Sequence, residues 1–244
     1  MDSETVKSYF QNPRVVADYA RAAEDVGLWE SERILIEKYI SKDARVLELG
    51  CGAGRVANAM AGMGYGGVVA TDFSPEMVEA AEKIALSKGL SLEFKVCDAT
   101  RICFESSAFE AVVFAFNGLM QIPRRARRLK ALREIYRVLK PGGVFIFTTH
   151  ERDVPEHAQY WQAEQKQWAS GSQNPLLDEY GDIFYAGDHG NIFIHSPSEA
   201  EVSAALEKVG FSEQFKAGRS QIARESNKVL EFSDNCIFRV VKKF

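Results

Sequence analysis

This chain of 244 residues lacks the residue patterns of several common protein classes. Its four cysteines contain no CxxC pair and no zinc-finger spacing, so we expect reduced thiols rather than disulfide bonds. Its four histidines show no helical i, i+4 pair, and no metal site is predicted. No run of 18 apolar residues occurs, and the N-terminal MDSETVKSYF lacks the basic start and apolar core of a signal peptide. We therefore expect a cytoplasmic protein without a membrane partner.

The chain also lacks an excess of positive charge. Its formal net charge of −4 gives no general attraction to nucleic acid or to an anionic membrane. With 46% apolar residues it can bury a sizeable core, and one α/β domain with a small insertion is ordinary at this length. Nucleic acid is therefore not the expected partner.

A glycine-rich stretch, residues 45–72, is the most informative feature that is present. A short apolar strand is predicted to end at Leu49 and a helix to begin near Arg55, with three glycines at alternate positions between them. Glycine lets the backbone run close beside a ligand, and free N–H groups at a helix N-terminus bind polar or anionic groups. A second apolar run ends at Asp72, whose carboxylate can accept hydrogen bonds from a ribose diol. Together these elements predict half of a nucleoside-binding βαβ unit.

One interpretation of this unit is a dinucleotide site. Gly52, Gly54 and Ala57 satisfy the pattern G-x-G-x-x-G/A, and Asp72 follows Gly52 by 20 residues. An NAD-dependent oxidoreductase on a Rossmann fold is therefore one alternative.

A longer pattern favours a different ligand. Residues 48–54 read acid-x-G-x-G-x-G, and residues 139–143 read LKPGG before a predicted fifth strand. In both features the chain resembles the class I S-adenosylmethionine-dependent methyltransferases. The resemblance implies an α/β fold with a seven-stranded Rossmann-like sheet, mostly parallel, with an antiparallel C-terminal hairpin and helices on both faces. It also implies S-adenosyl-L-methionine as cofactor, S-adenosyl-L-homocysteine as product, and a small-molecule acceptor methylated by direct displacement.

The same resemblance implies which residues bind the cofactor. An acid after the third strand is expected to contact the adenine amino group, with backbone contacts from the two residues that follow. Cys51 is interpreted as a packed side chain of the turn rather than a nucleophile. The expected cofactor residues are Glu48, Gly50, Cys51, Gly52, Gly54, Asp72, Phe73, Met77, Asp98, Ala99, Thr100 and Asn117.

Four segments are predicted along the chain. Helix and strand signals give their elements, and the resemblance implies their roles. The segments are an N-terminal helical lid at 1–40, a cofactor-binding core at 41–150, a substrate-side insertion at 151–197, and a last helix with a closing β-hairpin at 198–244. The hairpin strands are expected to be joined by a polar loop at 217–235. Substrate contacts are expected from the lid and the insertion, at Tyr9, Tyr19, Arg152, Tyr180 and Tyr185.

Three residues are candidates for a role in the chemistry itself. Asn117 follows the buried strand FEAVVFAF, and His150 follows the fifth strand, where ligands of such sheets bind. His195 lies in the insertion. A base is needed only if the nucleophile keeps its proton until attack, and a hydrogen-bonded structural histidine is the competing interpretation for both histidines.

Four arginines fall within residues 124–128. They could contact RNA phosphates, which makes an RNA-directed methyltransferase a further alternative, or they could form a solvated helix face. A monomer or a homodimer is expected.

Overall fold

The computed structural model describes residues 3–233 and 235–244; the side chain of Tyr185 also lies outside the described part. Nine strands are described. They are β1 Arg45–Leu49, β2 Gly67–Asp72, β3 Glu93–Val96, β4 Phe109–Phe114, β5 Leu139–Thr149, β6 Asp182–Gly187, β7 Gly190–His195, β8 Phe211–Gly218 and β9 Ile237–Lys243.

Seven of these strands form one sheet in the order β3-β2-β1-β4-β5-β9-β8. The strands β1 to β5 pair in parallel, whereas β9 runs antiparallel to both β5 and β8. The predicted fold class is therefore confirmed. Strands β6 and β7 pair with each other in a separate antiparallel hairpin within segment 151–197.

The helices cover both faces of the sheet. They are α1 Ser3–Phe10, α2 Pro13–Asp25, α3 Glu30–Tyr39, α4 Arg55–Gly62, α5 Pro75–Ser87, α6 Arg125–Val138, α7 Ala158–Ser170, α8 Glu199–Val209, α9 Arg219–Ile222 and α10 Asn227–Phe232, with 3-10 turns at Gly118–Gln121 and Pro155–His157. Among the described residues, every helix is too short or too polar to span a bilayer.

Helix starts follow the capping residues in the sequence. The side chain of Asn12 accepts a hydrogen bond from the N–H of Arg14, and Pro13 occupies the first helical turn. The side chains of Ser74 and Ser198 likewise accept hydrogen bonds from N–H groups in the first turns of α5 and α8. These side chains satisfy N–H groups that have no partner within the helix, which fixes where each helix begins.

Alternate residues of the central strands enter two separate cores. Leu47 and Phe145 face one layer with residues of α6 and α8. Val46 and Ile146 face the other layer with residues of α3 and α4. This alternation follows from the two-residue period of a strand, and burial on both faces explains the nearly continuous apolar runs.

A third cluster joins the N-terminal helices to the hairpin of β6 and β7. Val6, Phe10 and Val15 from α1 and α2 pack with Met77 and Phe193. At the hairpin tip, His189 Nε2 lies 2.8 Å from Asp18 Oδ2 of α2. Helix α3 instead packs against the sheet, so α1 and α2 are the part of segment 1–40 that meets the hairpin.

The segment between β8 and β9 differs from its prediction as a polar loop. It contains α9 and α10, and Val229 of α10 is buried. The carboxylate of Glu225 accepts hydrogen bonds from the N–H groups of Glu30 and Ser31, so the segment caps α3. Helices of four and six residues are too short to show the periodicity from which helices are predicted.

Candidate active site

Two adjoining cavities open at the carboxyl ends of the parallel strands. The main cavity is lined by Ser3, Val6, Phe10, Tyr19, Gly50, Gly52, Asp72, Phe73, Cys97, Asp98, Ala99, Thr100, Phe114, Ala115, Phe116, Gly118, Gln121, Ile122, Pro123 and Arg127. The side cavity is lined by Tyr19, Ala22, Glu48, Gly50, Cys51, Gly52, Ala53, Arg55, Val56, Ala115, Phe116 and Phe232. Parallel α/β sheets bind ligands at this end of their strands.

The glycines after β1 are required by conformation and by space. Gly50, Gly52 and Gly54 have φ of 59°, 52° and 80°, a region that residues with a side chain rarely adopt. A Cβ at Gly50 would lie 2.7 Å from Phe114 Cε2, and one at Gly52 would lie 3.2 Å from Tyr19 Cδ1. The loop therefore runs close under the ring of Tyr19.

Asp72 lies at the end of β2 and holds this loop. Its Oδ2 accepts a hydrogen bond of 2.9 Å from the N–H of Gly52, and its Oδ1 accepts one of 2.9 Å from Ser74. Burial raises the pKa of Asp72 to about 6, against the opposing effect of these hydrogen bonds. Each carboxylate oxygen has a second lone pair, so Asp72 can still accept bonds from a ligand.

Glu48, at the end of β1, is an acid without a partner for one oxygen. Its side chain is buried, and Oε2 has no hydrogen-bond partner among the described residues. Burial raises the pKa of Glu48 to about 8, and nearby Arg55 opposes the shift. A buried acceptor without a donor is costly, so the side cavity is suited to a ligand that brings a donor or a positive charge.

The loop after β3 forms the opposite wall of the main cavity. Asp98 Oδ1 accepts a hydrogen bond of 2.7 Å from the N–H of Thr100, which fixes the turn. Arg127 of α6 places a guanidinium nitrogen 3.5 Å from Asp98 Oδ2. Phe73 lines the cavity beside Asp72. The structure therefore brings together the predicted residues that follow β1, β2 and β3.

Three further predicted cofactor residues are buried, and of these Cys51 lines the side cavity. Met77 is buried in the cluster with Phe10. Gly54 lies against Asn58 and Ala81. The thiol of Cys51 is buried, and burial raises its pKa well above the usual range, which makes it a poor nucleophile.

Asn117 and His150 contact each other outside the walls of both cavities. Asn117 Nδ2 lies 3.0 Å from His150 Nε2, and the N–H of Asn117 donates to Thr148 Oγ1 at 2.7 Å. Of the described residues, neither of this pair is among those that line the main or the side cavity. The geometry therefore gives no support to direct contact between this pair and a ligand in either cavity.

The geometry gives no support to the predicted catalytic role of His195, which lines neither the main nor the side cavity. Its side chain is 0% exposed, with Nδ1 2.8 Å from Asp182 Oδ1 and Nε2 2.8 Å from Glu201 Oε1. Both ring nitrogens therefore have carboxylate partners, and neither can reach a substrate proton. A buried histidine between two carboxylates agrees with the competing interpretation of a structural side chain, although the sequence does not identify its two partners.

His195 and two nearby carboxylates lie close enough to one another to hold a metal ion. Ligand atoms of Glu179, Asp182 and His195 are within 4.8 Å of one another. Arg128, however, pairs with Glu179 at 2.8 Å, and the N–H groups of Asp178 and Glu179 donate to Asp182. Cationic and hydrogen-bonding partners already balance these carboxylates, so the cluster is a folding element.

The predicted substrate residues divide into two groups. Tyr19 lines both cavities, and Tyr9 packs beside the hairpin, with its hydroxyl 3.3 Å from the position of a Cβ on Gly187. Arg152 and Tyr180 contact each other, with the guanidinium carbon 5.0 Å from the ring centroid, and Arg152 pairs with Glu201. The prediction for the Tyr185 side chain falls outside the described residues.

Several cavity residues were missed by sequence reasoning. Phe116, Gln121, Arg127 and Phe232 line the cavities. The sequence did offer one signal for Phe116, because this residue directly precedes Asn117 at the end of a buried strand. The other three belong to helices or turns, and packing decides which of their side chains face the cavities.

The arginines of residues 124–128 largely pair with acids of the same chain. Arg124 Nε lies 3.2 Å from Asp178, and Arg127 and Arg128 pair with Asp98 and Glu179. These pairs reduce the positive charge available to phosphates.

The sheet order, the antiparallel strand β9, and the glycine loop beside acids at the ends of β1 and β2 define the class I S-adenosylmethionine-dependent methyltransferase fold. Residues 46–143 match the family model described as "Methyltransferase domain". The resemblance found in the sequence is therefore confirmed for the part of the chain that matches this family model.

Individual relatives agree with this assignment. The demethylmenaquinone methyltransferase of Thermus thermophilus is 39% identical over 100 residues, which cover 41% of this chain and 44% of that protein. The demethylmenaquinone methyltransferase of Leptospira interrogans is 34% identical over 125 residues, which cover 49% of this chain and 48% of that protein. The chain thus spans about half the length of the curated relatives that it matches.

Solved structures share the fold over nearly the whole chain. A SAM-dependent methyltransferase from Methanosarcina mazei matches with a TM-score of 0.69 and 20% identity, covering 89% of this chain and 99% of that chain. A SAM-dependent methyltransferase from Aquifex aeolicus matches with a TM-score of 0.60 and 18% identity, covering 100% of each chain. At this level of identity the likeness establishes the architecture.

Proposed function

We propose that this protein transfers a methyl group from S-adenosylmethionine to a small-molecule acceptor. The observation that carries the proposal is the set of acids Glu48, Asp72 and Asp98 at the ends of β1, β2 and β3, arranged around the glycine loop. These three acids fit the ammonium, ribose and adenine amino groups of one elongated cofactor.

Each acid has a distinct task in this proposal. Glu48 offers its unpartnered buried oxygen to the α-ammonium group of the methionine part. Asp72 accepts hydrogen bonds from the ribose hydroxyls while its other lone pairs hold Gly52 and Ser74. Asp98 accepts from the adenine amino group, with Phe73 packed beside the base and backbone contacts from Ala99 and Thr100.

When bound, S-adenosylmethionine supplies an electrophilic methyl group that an acceptor atom can displace, with S-adenosylhomocysteine as the other product. The chain contributes orientation and exclusion of water. Helices α1 and α2 supply Val6, Phe10 and Tyr19 to the wall, and the β6–β7 hairpin packs against these helices. Holding two reactants in line supplies much of the rate of such a displacement. We therefore propose α1 and α2 as the cover of the site, supported from outside by the hairpin of β6 and β7.

A small-molecule acceptor is supported by the walls of the main cavity. The cover contributes apolar and aromatic side chains, and the nearby Arg124, Arg127 and Arg128 are paired within the chain. Neither feature favours binding of an RNA backbone, which relies on free cationic groups. For the protein as a whole we propose cytoplasmic methylation by a monomer or a homodimer.

The NAD-dependent alternative has less support. It rests on the glycine pattern and Asp72 alone, whereas the matched domain family and the antiparallel strand β9 accord with a methyltransferase.

A thermal-shift comparison of S-adenosylmethionine, S-adenosylhomocysteine and NAD tests the proposal. We expect both sulfur nucleosides to raise the melting temperature and NAD to leave it unchanged. Stabilisation by NAD alone would refute the cofactor assignment. The acceptor class is then tested by incubation of a cell extract with methyl-labelled cofactor: label is expected in the small-molecule fraction, and label in RNA alone would overturn that part of the proposal.

A further inference from the structure

The two cavities meet at a junction, defined by the five residues that line both of them. These are Tyr19, Gly50, Gly52, Ala115 and Phe116. The main cavity contains the acids that fit the nucleoside, and the side cavity contains Glu48, which fits the methionine part. A cofactor that occupies both cavities has its sulfur between these parts, and therefore at the junction. This step rests on the function proposed above.

Two aromatic rings from segments that are distant in the sequence meet at the junction. Tyr19 comes from α2 and Phe116 from the turn after β4, and their ring centroids are 6.5 Å apart with planes at 65°. Both side chains are only partly buried, and both contribute to the walls of the two cavities. Each ring therefore keeps accessible surface where the sulfur is expected.

Phe116 is held in place at a conformational cost. Its φ of 50° lies in the left-handed region, and Asn117 follows with φ of 60°. Residues other than glycine adopt this region rarely, and such strain is maintained where surrounding contacts impose it, often at functional sites. Here Phe232 stacks on Phe116 with centroids 5.0 Å apart, and Trp29 meets it edge-on at 5.7 Å.

Tyr19 offers its ring rather than its oxygen. Its hydroxyl forms a hydrogen bond with the side chain of Gln121, and burial is the main cause that raises the pKa of Tyr19 well above its usual value. The phenol therefore stays protonated. A neutral aromatic ring beside a cation attracts it through the negative face of the ring.

We propose that Tyr19 and Phe116 form an aromatic clamp that binds the positively charged sulfonium of S-adenosylmethionine and discriminates it from the neutral thioether of S-adenosylhomocysteine. Loss of the methyl group removes the positive charge, so the clamp holds the substrate form more tightly than the product form. Tyr19 is thereby a specificity residue for the cofactor rather than a substrate contact.

Calorimetric titration of both cofactor forms tests the clamp without any acceptor. In Tyr19→Leu we expect S-adenosylmethionine to bind about tenfold more weakly, as expected for a desolvated cation–π contact, while the affinity for S-adenosylhomocysteine is largely unchanged. Tyr19→Phe keeps the ring and should keep the ratio of the two affinities. Phe116→Leu, like Tyr19→Leu, should weaken the binding of S-adenosylmethionine more than the binding of S-adenosylhomocysteine.

Phe73→Leu is the matched control, because Phe73 lines only the main cavity of the two. It should weaken both forms by the same factor and leave their ratio unchanged. Binding of S-adenosylhomocysteine also reports that each variant is folded.

The outcomes separate the clamp from the proposed function. If the unmodified protein binds neither form, the proposed function fails and the clamp fails with it. If it binds both forms and Tyr19→Leu lowers the two affinities equally or leaves both unchanged, the clamp alone is overturned. The clamp is also overturned if Tyr19→Phe loses the preference for S-adenosylmethionine over S-adenosylhomocysteine as completely as Tyr19→Leu does. The hydroxyl would then be the discriminating group.

Discussion

The N–H of Gly52 donates a hydrogen bond of 2.9 Å to Oδ2 of Asp72, although the two residues are 20 positions apart. This bond joins the glycine loop after β1 to the end of β2. It places the acid beside the glycine loop, where Gly52 has no side chain to stand between the carboxylate and a ligand. One carboxylate therefore shapes the loop and remains available to a ligand. The site therefore depends on parallel pairing of β1 with β2.

Removal of this carboxylate should affect both binding and folding. In Asp72→Ala the ribose hydroxyls and the N–H groups of Gly52 and Ser74 lose their acceptor, so cofactor binding should weaken by about 1–3 kcal/mol. Calorimetry measures the affinity, and thermal unfolding measures the accompanying loss of stability. Glu93→Ala, which removes an exposed acid of β3, is the control and should change neither. An unaltered affinity in Asp72→Ala would refute the ribose assignment.

Cofactor binding at neutral pH should release a proton from Glu48. Its pKa is about 8 in the free protein because the carboxyl is buried, so it is mostly protonated at pH 7. A bound ammonium group favours the carboxylate, lowers that pKa and expels the proton. Affinity should therefore rise as the pH increases from about 6 to 8. Calorimetry at pH 7 in buffers of different ionisation enthalpy counts the protons, and release that persists in Glu48→Gln would contradict the assignment.

The same group makes the free protein less stable in alkali. The pKa of Glu48 in the folded state, about 8, lies above its ordinary value of 4.5. Its contribution to the free energy of unfolding is therefore fully present below pH 4.5 and is lost as the pH rises through about 8. Glu48→Gln should remove this dependence and stabilise the free protein at pH 9 by a few kcal/mol, because each tenfold difference in proton affinity between the folded and unfolded states corresponds to about 1.4 kcal/mol. Denaturant unfolding of both proteins at pH 5 and pH 9 measures this difference. If the stability of Glu48→Gln depends on pH as strongly as that of the unmodified protein, the raised pKa of Glu48 is contradicted.

The buried ion pair of Arg55 and Glu32 should be strongly coupled. Two hydrogen bonds of 2.6 Å join the guanidinium to the carboxylate, and their side chains are 10% and 3% exposed. Arg55→Met leaves Glu32 buried without its partner and should cost about 3–5 kcal/mol of stability. The double variant Arg55→Met with Glu32→Gln should cost less than the sum of the single changes. A urea-unfolding cycle tests this coupling, and strict additivity would contradict it.

His195 should matter for stability and not for cofactor binding. Glutamine at this position can donate to Asp182 or to Glu201 but not to both, so His195→Gln should lose roughly 1–3 kcal/mol. The affinity for S-adenosylmethionine should stay the same, because His195 lies outside both cavities. His157→Gln changes an exposed histidine and should be neutral in both assays. A selective loss of cofactor affinity in His195→Gln would restore a role in the site.

Local chemistry explains why so much of the frame was predictable. Glycines at positions 50, 52 and 54 need positive φ, and serine or asparagine caps start α2, α5 and α8. Apolar runs that are buried on both faces mark β1, β2 and β4. Such signals act within a few residues, so they are visible in the sequence without knowledge of the partners.

Partners across the fold were beyond the same reasoning. His195 and Asn117 follow strand-end positions like those of true ligand contacts, yet one is enclosed by Asp182 and Glu201 and the other contacts His150. Phe232 reaches the side cavity from a segment that the sequence describes as a polar loop. Each of these contacts joins residues or segments that are not adjacent in the sequence, so no local pattern predicts it.

By itself the sequence determined the parallel α/β frame, the glycine loop and the acids at the strand ends, because these follow from φ preferences, capping and the two-residue period of strands. Only the tertiary structure decided that Tyr19 and Phe116 meet at the junction, that the arginines of residues 124–128 are largely paired, and that His195 is sealed from the site. The direction of a side chain in a finished core is set by packing against all of its neighbours at once, and no local pattern encodes it.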